Sequence, residues 1–202
     1  MTRAFDEAHI NHASLGVAGA VVTVCTATAD DAQLLSELGA RTFRDTFAED
    51  NTASDMAAYL ASAFSVEIQG REVADPATTF LLAEVAGQAV GYARLRAGDA
   101  PVCVSGERPI EIVRLYADAR WIGAGIGLAL MRACLAEATV RARDVVWLDV
   151  WELNPRAIAF YSKWGFAVVG RQEFVLGEDI QHDLLMARPA DWDTERISDA
   201  TR

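Results

Sequence analysis

The sequence predicts a single α/β domain, on three observations. Short β-branched and apolar runs alternate with longer segments whose apolar residues recur at helical spacing. The chain has 202 residues, 52% of them apolar and 23% charged, enough for one sizeable core. Past its middle, an apolar strand runs into a glycine-rich loop and then a long amphipathic helix, the order in which α/β units are built.

Residues 1–18 read as a leader, residues 19–190 as the domain and residues 191–202 as a polar tail. Val21 to Thr26 is β-branched and forms the first strand. Asp30 is the expected N-cap of a helix whose apolar positions are Leu34, Leu35, Leu38, Phe43 and Phe47. Glu49-Asp50-Asn51-Thr52 breaks that helix, and a second carries Met56, Tyr59, Leu60 and Phe64 on one face. A third, near Val66 to Val73, stops before Asp75-Pro76.

Thr79 to Val85 and Ala89 to Arg96 form a hairpin around Ala86-Gly87, followed by a loop over 97–109. Ile110 to Ala117 is the strand that feeds the glycine loop. Ile126, Leu130, Met131, Cys134, Leu135 and Ala138 then keep helical spacing to about Arg141. Val145 to Val150 is a strand. Asn154 caps a helix with Pro155 at its first position, carrying Ile158 and Tyr161 and ending near Trp164-Gly165. Phe166 to Phe174 and Ile180 to Arg188 close as a hairpin around Gly177-Glu178-Asp179, and its open edge offers a surface on which two subunits can pair as a homodimer.

A formal net charge of −11 makes the chain a poor nucleic-acid binder and suits cationic substrates. Cys25, Cys103 and Cys134 are far apart and in no metal-binding spacing, so no metal site is expected. Without a disulfide framework the expected setting is the reducing cytoplasm. The apolar stretch at 13–29 follows Asp6 and Glu7 rather than a basic region, which argues against a signal peptide, and no run is long enough to span a membrane.

The loop over residues 120–127, Arg-Trp-Ile-Gly-Ala-Gly-Ile-Gly, carries most of the chemistry. Unpaired N–H groups at a helix start, with the positive end of the helix dipole, suit a phosphate or pyrophosphate. The spacing fits neither a dinucleotide fingerprint nor a P-loop, and no lysine lies in this region. Arg120-x-x-Gly123-x-Gly125 resembles the acyl-CoA signature of the GNAT superfamily of N-acetyltransferases. Asn154-x-x-Ala157-x-x-Phe160-Tyr161-x-Lys163-x-Gly165-Phe166 resembles that superfamily's second motif. The resemblance covers residues 21 to 188.

The resemblance implies a mixed, mostly antiparallel twisted sheet of six to seven strands, splayed between the fourth and fifth and flanked by helices. It implies acetyl-CoA as co-substrate and direct acetyl transfer to a primary amine in a ternary complex. Leu115, Tyr116 and Ala117 would meet the pantetheine arm and thioester, with a strand N–H around Tyr116 or Ala117 as oxyanion donor. The N–H groups of Trp121, Ile122, Gly123, Ala124, Gly125, Ile126 and Gly127 would hold the pyrophosphate beside Arg120. Asn154 would contact the arm as well as cap its helix, and Lys163 would lie near the nucleotide.

Tyr161 matches the family's general acid. Glu111, a carboxylate among Ile110, Ile112 and Val113, is the candidate base or substrate-ordering group, with solvent-facing Glu111, bulk water and His182 as alternatives. The segment from Arg41 to Asn51, with Met56-Ala-Ala-Tyr-Leu, is similar to PaiA-type polyamine acetyltransferases. Phe43 and Phe47 would then form an aromatic acceptor rim with Asp45, Glu49 and Asp50, unless the two rings are simply core. Two other readings remain open at the sequence level. One is a non-catalytic acyl-CoA-binding module and the other a protein or peptide N-acetyltransferase.

Overall fold

The computed structural model describes residues 15–17, 20–176 and 179–191. Its elements follow in the order β1 (Leu15–Val17), β2 (Ala20–Thr26), α1 (Ala32–Phe47), α2 (Ala53–Phe64), α3 (Val66–Ala74), β3 (Thr78–Val85), β4 (Gln88–Ala97), β5 (Pro109–Ala117), α4 (Ile126–Val140), β6 (Val145–Trp151), α5 (Pro155–Lys163), β7 (Ala167–Leu176) and β8 (Asp179–Pro189). One sheet takes all the strands in the order β1-β2-β3-β4-β5-β6-β8-β7. Every neighbouring pair is antiparallel except β5 and β6. The fold is the splayed sheet that the resemblance implies, with eight strands rather than six to seven and the parting between the fifth and sixth because the short β1 precedes those expected.

The sheet is buried on both faces, so its central strands read as continuous apolar runs. Leu81, Ala83 and Leu95 pack with Ile126, Leu130, Met131 and Cys134 of α4, while Phe80, Leu82 and Tyr92 pack with Leu35, Leu38 and Phe43 of α1. The alternation along β3 sends successive side chains to opposite faces. A smaller cluster of Val104, Val145, Trp147, Leu185 and Ala187 lies under the 97–109 loop. Asp144 ties that loop down by accepting from the N–H groups of Glu107 and Arg108.

Two expectations are corrected here. Leu15–Val17 pairs with Ala20–Val22, so the sheet begins inside the segment read as leader; residues 1–14 lie outside the described residues. Asp30 does not cap α1: Thr28 and Asp31 form a capping box around a short 3-10 turn, Ala29–Asp31, that leads into it. Residues 177–178 of the expected Gly177-Glu178-Asp179 turn, and residues 192–202 of the expected tail, lie outside the described residues.

Candidate active site

β5 and β6 pair only at Pro109–Val145, Ile110–Val146 and Glu111–Trp147. Beyond that point neither strand has the other as a partner, and each presents an unsatisfied row of backbone groups to the gap. β5 also bulges here: Arg94 faces Arg114 and Leu95 faces Ile112, leaving Val113 as the extra residue. A bulge twists the strand and re-aims its amides, which periodicity alone cannot reveal. The gap widens into a cleft of about 640 Å³ lined by β5 from Glu111 to Ala117, by Asp149, Val150 and Trp151, and by Asn154 and Tyr161.

The glycine loop stands at the start of α4. Gly123 and Gly125 have φ of +83° and +85°, the left-handed region that disfavours side chains. Gly127 is an ordinary helical residue. The backbone divides the loop's N–H groups into two sets. Trp121, Ile122 and Ala124 spend theirs on the carbonyls of Asp118, Ala119 and Trp121. Gly123, Gly125, Ile126, Gly127 and Leu128 have no acceptor for theirs among the described residues, since the first bond of the helix runs from Ala129 to Gly125. Leu128 thus joins the N–H groups open to a ligand, whereas those of Trp121, Ile122 and Ala124 are already bonded within the loop. Open space above Gly123, where an added Cβ would meet nothing within 4 Å, completes a cradle that fits a pyrophosphate.

Arg120 is held by Asp118, with Nε 2.9 Å from Oδ1 and Nη2 2.8 Å from Oδ2. Asp118 also meets Arg41 at 3.2 Å. Hydrogen bonding from Arg120 holds the Asp118 carboxyl at about 2, well below its ordinary value. Arg120 is exposed and outside the cleft lining, as is Lys163 at the end of α5.

Tyr161 projects from α5 into the cleft with 9% of its surface exposed, packed edge-on against Phe160 and Phe166. Burial pushes its phenol well above the ordinary value, so the group stays protonated. Asn154 caps α5 through its side-chain oxygen, which accepts from the Ala157 N–H at 3.0 Å, and also lines the cleft.

Glu111 lines the cleft, but its carboxylate is bound by Arg96 across the sheet at 2.6 Å. Two further carboxylates join it, Asp149 and Asp183, which the sequence reading did not single out. Glu111 lies opposite Trp147, two residues before Asp149, and Asp183 lies opposite Trp151, two residues after it. The two-residue period therefore puts all three on one face. Burial, then Asp183, then Glu111 raise the Asp149 carboxyl to about 6, while Gln172 donates to it at 2.9 Å. Burial raises Asp183 as well. His182 is exposed, 4.0 Å from Glu152, and outside the lining.

Phe43 and Phe47 also line the cleft. Phe43 is buried and stacks on Tyr59 at 4.6 Å, whereas Phe47 is partly exposed and meets Trp151 edge-on at 6.1 Å. Phe43 is thus both core and wall. Asp45 and Asp50 stand at the same wall.

Residues 40–166 match the Acetyltransferase (GNAT) family model. The chain is 33% identical over 147 residues to an uncharacterized N-acetyltransferase in the pepI 3′ region of Lactobacillus delbrueckii subsp. lactis, covering 73% of this chain and 85% of that one. Among solved structures it is similar to the PaiA N-acetyltransferase of Thermoplasma acidophilum in complex with coenzyme A, with a TM-score of 0.67 at 19% identity, over 83% of this chain and 98% of that one. It is also similar to the ribosomal-protein-S18-alanine N-acetyltransferase of Escherichia coli, with a TM-score of 0.63 at 15% identity, over 86% and 97%.

Proposed function

The chain belongs to the GNAT acetyltransferase family, and from that premise we propose that it transfers acetyl from acetyl-CoA directly to a primary amine of a small cationic molecule. The observation that carries this reading is one cleft, at the parting of β5 and β6, that holds a protonated phenol and a carboxylate raised to about 6. Acetyl-CoA supplies an activated thioester. The N–H groups of Gly123 and of Gly125 to Leu128 hold its pyrophosphate, and the unpaired edge of β5 from Val113 to Ala117 binds the pantetheine amides and faces the thioester oxygen.

An alkylammonium of pKa about 10.4 must lose a proton before it can attack. Asp149 accepts it, directly or through water, and is poised to do so because burial, and then the charges of Asp183 and Glu111, make its proton affinity unusually high for an aspartate. Asp183 and Glu111 draw the cation toward Asp149, Glu111 in the orientation set by Arg96. When the C–S bond breaks, Tyr161 gives its proton to the departing sulfur. A wall of Phe43, Phe47, Tyr59 and Trp151 with Asp45 and Asp50 favours an acceptor that is both cationic and partly apolar, as a polyamine is.

The test is thiol release from acetyl-CoA with polyamines, amino acids, aminoglycosides and N-terminal peptides as acceptors. The expected result is turnover with a di- or polyamine, lowered at least tenfold by Asp149→Asn. Turnover confined to peptides would overturn the acceptor assignment. Tight CoA binding with no acceptor turned over would overturn catalysis itself.

A further inference from the structure

The two edges of the sheet are unlike. β1 ends one side with three residues, whereas β7 ends the other with ten, paired to β8 alone. A long open edge exposes a row of backbone donors and acceptors that another strand can satisfy. Around it stand apolar residues in water: Val168 is 52% exposed, Val175 59% and Ile180 58%. Ile180 lies opposite Val175, so these two form one patch beside the edge.

The order of charges along β7 says which strand fits. Gly170-Arg171-Gln172-Glu173-Phe174 carries unlike charges symmetrically about Gln172. In an antiparallel pair related by a twofold axis normal to the sheet, a residue must face one on the same side, so the register can shift only by whole residues at the centre. Centring on Arg171 sets Arg171 against itself, and centring on Glu173 sets Glu173 against itself. Centring on Gln172 sets Arg171 against Glu173 twice over, within the regular stretch from Gly170 to Leu176 that follows the bulge at Val169. Directly opposed unlike charges stabilise a strand pair and like charges destabilise it. Both side chains are available: Arg171 and Glu173 are exposed, and the one ion pair of Arg171, with Glu152 at 3.5 Å, leaves most of its donors in water.

We propose that this edge is the interface of a homodimer, in which β7 pairs antiparallel with β7 of a second copy about Gln172. The pairing joins two sheets into one. It also braces the strand that carries Phe174, which lines the cleft, and Gln172, which holds Asp149.

Sedimentation equilibrium of the full chain tests this, and because the readout is mass rather than turnover it does not depend on the acetyl-transfer reading. The wild type is expected to be a dimer in the micromolar range. R171E or E173R alone, each setting like charges face to face, weakens association by about tenfold or more. R171E/E173R exchanges the charges and restores the dimer, with circular dichroism confirming that each variant is folded. A monomeric wild type overturns the proposal. So does a dimer that the single variants leave intact, or one that the exchange fails to restore.

Discussion

In the proposed function, the two walls of the cleft bind by different means. On the cofactor side the work falls to the backbone: five N–H groups around a loop whose shape needs glycine at 123 and 125, with Arg120 already held by Asp118. On the acceptor side it falls to side chains, with carboxylates from β5, β6 and β8 and rings from α1 and α2 converging from distant parts of the chain. Backbone binding restricts which residues the loop can contain, so it leaves a compact motif in the sequence. Side-chain binding restricts only where residues end up. The first wall suits an invariant part of a substrate; the second can change specificity by single substitutions without disturbing the first.

The largest expected effect lies between the walls. Tyr161→Phe should lower kcat by about 10²-fold or more while leaving CoA affinity unchanged, because only the proton donor is lost. Single-turnover kinetics beside calorimetric CoA titration would reveal it, and equal loss in both would mean that the ring packs rather than donates. Next comes the cofactor wall alone. Gly125→Val forces a β-branched residue to φ near +85° at the head of α4. It should cost about 1–3 kcal/mol of stability and weaken CoA at least tenfold, read by thermal melts with and without ligand.

Asp149→Asn probes the acceptor wall, with an expected loss of about 10–100-fold in kcat/KM. In the wild type kcat/KM should rise with pH through about 6 as Asp149 deprotonates, and the variant should lack that limb. Stability runs the other way. The folded value lies above that of an unfolded aspartate, so the wild type loses stability as pH rises from about 4 through about 6. The variant should therefore be more stable at pH 8 by about 1–3 kcal/mol, the gap closing near pH 4. The smallest effect is expected at Arg120. Because Asp118 already takes that guanidinium, Arg120→Ala should weaken CoA no more than about threefold. A tenfold loss would mean that the cofactor wall relies on a side chain after all.

Much of the fold was legible because each element carries its own period: β3 and β4 meet at Ala86-Gly87, and Asn154-Pro155 opens α5. The glycine loop and Tyr161 were legible through motif. What escaped depends on pairing between distant segments. Val113 is an ordinary strand residue until Arg94 and Leu95 across from it fix the bulge. Glu111 reads as a free carboxylate until strand register brings Arg96 opposite. Asp149 did carry a signal: it is the one charge in Val145-Val-Trp-Leu-Asp-Val-Trp. The same argument that singled out Glu111 applied to it. Asp183 becomes its neighbour only because β8 lies between β6 and β7.

The three residue pairs that join β5 to β6 have a mechanical consequence. Among the described residues they are the only strand rungs between a five-stranded lobe ending in β5 and a three-stranded lobe starting at β6. With so few rungs, the two lobes are held together mainly by side-chain packing: Ile110, Leu130 and Met131 share one core with Val146, Leu148 and Met186, and Phe47 meets Trp151 across the gap. Under pulling force the sheet's own pairing should part along this line before that shared core does, and a co-substrate bound in the gap, as proposed, should delay the parting.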